Sequence, residues 1–315
     1  MEKRPLGTSG LAASAVGLGC NNFGMKIDLE ASRAVINAAL DAGITFFDTA
    51  DMYGNGQSEE FIGQVLGPRR KEIVLATKFG GVARWRQGGE RWGTRAYIAG
   101  CLEASLRRLR TDWVDLYQMH YPDPATPIEE TLGALDDLVR QGKVRAVGCS
   151  NFSGAQLAEA ATAARERRLV SFVTAQNEWN LLNRAAERDV IPACERYGVG
   201  QLPYFPLASG MLTGKYRRGE AFAPGTRLAV FTFAQGLATE ENFTKVEALQ
   251  NLAARRGRTL LELAVSWLAA HACVVSVIAG ATTPEQVRAN AAAANWQLTP
   301  SELAEVDTLA PLAPA

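Results

Sequence analysis

Apolar runs of strand length alternate along the chain with longer stretches of helical period. This is the pattern of a parallel sheet, in which every return to a neighbouring strand needs a crossover helix. Strands are predicted over 15–18, 45–48, 73–77, 114–118, 146–150, 172–177, 200–203 and 275–278. Helices are predicted over 29–42, 58–66, 95–109, 128–141, 154–167, 186–197, 259–270 and 284–293. Gly43 and Gly142 fall just past two of these helices, where a left-handed cap is wanted. Eight βα units predict one α/β domain over residues 1–315, a (β/α)8 TIM barrel. Residues 4–11, turning at Thr8-Ser9-Gly10, add an N-terminal β-hairpin suited to plug the barrel's lower mouth. Residues 240–256 and 301–309 are two extra helices. Residues 207–239 form a long segment rich in Gly, Phe and Thr after the seventh strand, and loops of that length in a compact domain are usually functional.

Composition narrows the class of partner. At 315 residues and 47% hydrophobic content the chain can bury a substantial core. Lys plus Arg equals Asp plus Glu at 33 each, so no global field draws nucleic acid or an anionic membrane, and a small molecule is the expected partner. The first residues carry no apolar stretch behind basic ones, and no run of about 18 apolar residues occurs, so a cytoplasmic protein is expected. Cys20, Cys101, Cys149, Cys194 and Cys273 are odd in number, scattered and never in a Cys-x-x-Cys pair, which predicts reduced thiols and no metal site.

Candidate chemistry gathers where strands end. His120 closes the run Val114-Asp115-Leu116-Tyr117-Gln118-Met119, Asp48 follows Ile44-Thr45-Phe46-Phe47, Lys78 follows Ile73-Val74-Leu75-Ala76-Thr77, and Tyr53 sits in Asp51-Met52-Tyr53-Gly54. Each alone has an ordinary structural account, but four at successive barrel mouths make one site, because barrel chemistry sits at the strands' C-terminal ends. A phenol titrates near ~10 in water, so Tyr53 serves as an acid near neutrality only with a cation to stabilise its phenolate. Lys78 supplies that charge, Asp48 holds the ammonium, and a neutral His120 orients the same substrate oxygen. Together they suit negative charge developing on a carbonyl oxygen that accepts a hydride. The run Gly17-Leu18-Gly19-Cys20-Asn21-Asn22 imitates a Rossmann turn, but Asn22 stands where the third glycine belongs. The better phosphate site is Gly280-Ala281-Thr282-Thr283-Pro284, which leaves the eighth strand and opens a helix.

These motifs resemble the aldo-keto reductase family, in the bacterial branch related to potassium-channel β subunits. The resemblance is carried by Phe47-Asp48-Thr49-Ala50-Asp51-Met52-Tyr53-Gly54, Thr77-Lys78-Phe79-Gly80, Asp115 through His120, Gly148-Cys149-Ser150-Asn151-Phe152, Gln176 through Asn180, and Tyr204-Phe205-Pro206-Leu207. It implies a barrel that binds NADPH, with NADH possible, and reduces aldehydes and ketones. It also implies Tyr53 as general acid, Lys78 and Asp48 as its tuning pair, and His120 as orienting group. By the same resemblance Ser150, Asn151 and Gln176 hold the nicotinamide carboxamide, Tyr204 stacks on its ring, and Gly19, Asn21 and Asp48 lie near it. Phe205, Pro206, Leu207, Ser209, Gly210, Lys215 and Arg227 match the loop around the pyrophosphate, while Gly280, Thr282, Gln286 and Asn290 match the adenosine-phosphate end. Phe23 and Trp85, with Tyr53 and His120, are the expected substrate contacts. Phe205 departs from a common serine, and Thr283 stands where several relatives carry a cation toward the 2′-phosphate. A cofactor-loaded sensor or binding subunit with slow turnover is the alternative function.

Overall fold

A computed structural model describes residues 1–81 and 91–313. Ten strands are described: β1 (Lys3–Pro5), β2 (Ala12–Ser14), β3 (Val16–Gly19), β4 (Phe46–Asp48), β5 (Val74–Phe79), β6 (Val114–Met119), β7 (Val144–Ser150), β8 (Thr174–Gln176), β9 (Gly200–Gln201) and β10 (Val277–Gly280). The last eight are parallel and ordered β10-β3-β4-β5-β6-β7-β8-β9. The edges meet: Gln201 donates its amide to Cys273 O at 2.7 Å, Val275 to Gln201 O at 2.9 Å, and Ile278 to Pro203 O at 3.0 Å. The result is a closed (β/α)8 barrel. β8 and β9 are shorter than the predicted 172–177 and 200–203. Pairing nonetheless continues past Pro203, which has no amide to donate, with the Tyr204 amide reaching Asn177 O at 3.1 Å.

Alternation along each strand explains where the core lies. Phe46, Val74, Ala76, Leu116, Ala146, Val173, Leu202, Val275 and Ile278 form one buried cluster, and Leu6, Leu11 and Ala13 of the hairpin complete it. The hairpin therefore seals the lower end, as its sequence predicts. Gly7 makes this possible, since it takes φ +52° and a Cβ there would lie 2.2 Å from Val173 O.

Outside the strands, the helices bury one stripe each. Leu102, Leu106 and Leu109 line the inner face of Arg95–Leu109, and Leu132, Leu135 and Leu138 that of Ile128–Arg140. Capping boxes at Ser153/Gln156, Thr259/Glu262 and Thr299/Glu302 start three helices, the last being one of the two extra ones. Gly43 and Gly142 take φ of 77° and 74°, the left-handed caps expected of them. Residues 207–239 are more ordered than a loop, carrying short helical segments at Ala208–Thr213, Arg227–Val230 and Thr232–Gln235. Among the described residues no helix is long and apolar enough to cross a membrane, and no cluster of metal-ligating side chains occurs.

Candidate active site

The inward face of the barrel changes character as it rises. Phe46 below Asp48, Ala76 below Lys78 and Leu116 below Gln118 share one phase on their strands, so the same alternation that packs the lower core aims polar groups into the upper layer. Register aligns them: Lys78 pairs with Gln118, and Ser150 with Gln176. Asp48 is then satisfied on both oxygens. Lys78 Nζ donates to Oδ2 at 2.7 Å, while the Gln118 and Gln176 amides donate to Oδ1 at 3.2 and 2.9 Å.

Lys78 reaches Tyr53 as well. Its Nζ lies 3.2 Å from the phenol oxygen and 3.0 Å from Thr49 O. Tyr53 is presented by a tight turn, Tyr53–Gly56, in which Gly54, Asn55 and Gly56 all take positive φ, and a Cβ on Gly54 would strike Phe23 O at 2.7 Å. Burial holds the Tyr53 phenol above its ordinary value, and Lys78 opposes that without overcoming it. The cation thus moderates the acid rather than making it unusually strong. Burial pulls the Lys78 ammonium down, but Asp48 and Tyr53 more than compensate, and the net direction is up. A cation fully buried beside one carboxylate stays charged.

His120 stands with its ring stacked on Tyr121 at 4.8 Å and edge-on to Tyr53 at 6.0 Å. Nδ1 is buried against Gly81 and has no hydrogen-bond partner among the described residues, which leaves Nε2 as the nitrogen for a ligand. Burial, and then the Lys78 charge, push its pKa well below the usual 6.5, so the ring is neutral near pH 7.

A cavity of about 980 Å³ opens above these groups, and every residue expected from sequence to touch a dinucleotide lines it, from Gly19, Asn21 and Asp48 to Gln286 and Asn290. That volume is ample for a dinucleotide. Asn151 links the wall: it takes a left-handed φ of 62°, donates to His120 O at 3.0 Å, and accepts the Tyr204 hydroxyl at 2.8 Å. Lys215 and Arg227 reach the cavity from the segment after β9, and neither is paired with a carboxylate among the described residues, a donor set that suits two phosphates.

Some expectations change. Phe23 does not line the cavity; it is fully buried in the core, because its loop folds inward between Cys20 and Gly54. Lys78 lies behind Tyr53, between it and Asp48, where the sequence places it. Trp85 lies outside the described residues. The helix amides expected to be free are engaged: the Thr282 amide and hydroxyl donate to Gln286 Oε1 at 2.8 and 3.1 Å, and Thr283 caps the Gln286 amide at 3.4 Å. Sequence reasoning missed Gln118, Met52 and Lys26. Gln118 had a signal, since it shares the inward phase of Leu116 in an otherwise apolar strand.

The chain belongs to the aldo/keto reductase family, whose family model matches residues 15–311. It is 38% identical over 298 residues to an uncharacterized oxidoreductase of Bacillus subtilis, YrpG, covering 91% of this chain and 89% of that one. Identity is 37% over 301 residues to a probable voltage-gated potassium channel subunit beta of Oryza sativa subsp. japonica, covering 92% and 90% of the two chains. It is 34% over 321 residues to an L-glyceraldehyde 3-phosphate reductase of Escherichia coli, covering 98% and 92%. Membership implies an oxidoreductase that uses NAD(P)H to reduce carbonyl compounds.

Proposed function

We propose that this protein is an NADPH-dependent reductase of small aldehydes or ketones in which Tyr53 donates the proton, with NADH also accepted. The observation that carries this reading is the Lys78 ammonium bridging Asp48 at 2.7 Å and Tyr53 at 3.2 Å just behind the cavity floor. A bound nicotinamide would supply the hydride. His120, neutral and unpaired at Nδ1, holds the carbonyl oxygen through Nε2 and aims it at the Tyr53 hydroxyl. Negative charge growing on that oxygen draws the phenol proton, and Lys78, fixed by Asp48, stabilises the phenolate left behind. Asn151, Ser150 and Gln176 hold the carboxamide side of the ring, and Tyr204 covers its face. The preference for NADPH is modest in this reading. The adenosine end offers Thr282, Gln286 and Asn290, and its nearby Arg288 is paired with Glu285 at 2.6 Å. Five unpaired thiols support a reducing, cytoplasmic setting.

Replacing Tyr53 with Phe keeps the ring and removes the proton donor. Turnover of a good aldehyde should fall by about 10²-fold or more while nucleotide affinity persists. Undiminished turnover in Tyr53→Phe would overturn the assignment. The named relatives differ in role, one a channel subunit and one a reductase of a phosphorylated aldehyde. A wild-type protein that binds nucleotide but turns over no aldehyde, phosphorylated aldehydes included, would favour the subunit reading.

A further inference from the structure

Three cations line the cavity, and one of them, Lys26, comes from a different loop from the others. It sits on the turn after β3, while Lys215 and Arg227 belong to the segment after β9. Each of the three rests on an aromatic ring. Lys26 Nζ is 5.0 Å from the Phe231 centroid, Lys215 Nζ 5.0 Å from that of Tyr216, and the Arg227 guanidinium 5.4 Å from that of Phe205. None has a carboxylate partner among the described residues, although the chain as a whole is charge-balanced and pairs its arginines freely elsewhere. Burial lowers the Lys26 ammonium, and the like charges of Arg227 and Lys215 push it the same way. Three mutually repelling cations on soft partners form an incomplete arrangement that an anion between them would complete.

The Lys26 backbone is fixed for such a task. Its amide donates to Asn22 O at 2.8 Å, and the Asn22 side chain, buried, donates to Ala281 O at 3.2 Å and accepts from Arg227 at 3.4 Å. The turn is thereby tied both to the end of β10 and to the covering segment.

Building on the reductase reading, we infer that Lys26 is a phosphate-binding residue: with Lys215 and Arg227 it closes on the dinucleotide's pyrophosphate, leaving its seat on Phe231 to do so. The ring contact holds the covering segment near the turn while the site is empty. A charge-assisted contact to phosphate then replaces the weaker cation–π contact. The pyrophosphate, rather than the 2′-phosphate, is the target because Lys26 lies within charge range of both Lys215 and Arg227, the two cations that match the pyrophosphate loop, whereas Arg288, near Thr282 and Gln286, is held by Glu285.

The test is a titration of NADPH and of NADH, by quenching of tryptophan fluorescence, against wild type, Lys26→Gln and Lys26→Arg at several ionic strengths. Lys26→Gln should weaken both nucleotides alike, by about tenfold, with a shallower salt dependence, and Lys26→Arg should restore most of the affinity. Inorganic pyrophosphate should compete against either nucleotide, and less well in Lys26→Gln. Unchanged affinity and salt slope in Lys26→Gln would overturn the inference alone. Weakening of NADPH only would also overturn it, by moving Lys26 to the 2′-phosphate. A wild type that binds neither nucleotide would overturn the reductase reading, and this inference with it.

Discussion

At the scale of single residues, the site is governed by how burial and one cation divide the work. Asp48 accepts three donors, and the closest of them is the Lys78 ammonium that it holds in place. Gln118 is informative because its Oε1 is buried without a partner while its Nε2 serves Asp48. A core position that tolerates an unpaired acceptor is occupied for the donor. Two pH expectations follow from the directions of Tyr53 and His120. In the proposed role Tyr53 must carry its proton, and its pKa is raised above 10, so the acid form persists as pH rises to about 10 and is lost only beyond. His120 titrates well below 6.5 and stays neutral throughout that range. The rate of carbonyl reduction at saturating nucleotide should therefore be level from about pH 7 to about pH 10. A fall in rate centred near pH 8 in stopped-flow measurements would contradict this assignment of the acid.

At the scale of elements, the catalytic turn is braced from behind. Thr77, next to Lys78, donates to Glu59 at 2.5 Å, and Arg108 from the helix Arg95–Leu109 donates to the other Glu59 oxygen at 2.7 Å. The Arg108 side chain also lies against Gly56, so β5, two helices and the Tyr53 turn are bound together. Asp51 shares this region. Burial first, and then the Glu59 charge, raise its carboxyl to about 7, with Arg108 and Lys78 opposing, and its Oδ1 has no partner. The sign is that of a raised folded-state pKa: the protonated form is favoured on folding, so Asp51 favours the fold below its unfolded value of 3.8, and that contribution is lost as pH rises to about 7. Above that it opposes folding. Asp51→Asn should hence gain on wild type between pH 5 and pH 8 by roughly 1–2 kcal/mol, discounted for partial exposure. Urea unfolding of both proteins at the two pH values measures it, and a gain independent of pH would show that the Asp51 charge is not the cause.

At the scale of the whole molecule, the barrel was legible because apolar runs of strand length and 3.6-period helices alternate eight times, and because the hairpin's Leu6 and Leu11 carry the same apolar signal as the core they seal. Asp48, Lys78 and His120 were legible as polar residues ending apolar runs. Phe23 was misread because an aromatic residue in a loop gives no sign of which way the loop folds, and here it folds inward. Lys26 was passed over because a charged residue beside a turn is ordinarily solvated, and only the closed barrel brings it to Phe231 and into range of Arg227. The Thr282 amide looked free because the return of Gln286 to it depends on a side-chain rotamer. What unites these pieces is a cavity floored by Tyr53 and a neutral His120, with the buried Lys78 ammonium behind them, and lined further out by cations that have no carboxylate partner among the described residues. The most direct test of that account is hydride transfer itself. The protein is incubated with NADPH carrying deuterium at the transferable position and a panel of aldehydes and ketones, and the alcohols are analysed by mass spectrometry. The account predicts one deuterium in the product alcohol, from one face of the nicotinamide only, and about 10²-fold less product with Tyr53→Phe. Alcohol formed without deuterium, or no alcohol from any carbonyl while NADPH remains bound, would contradict it.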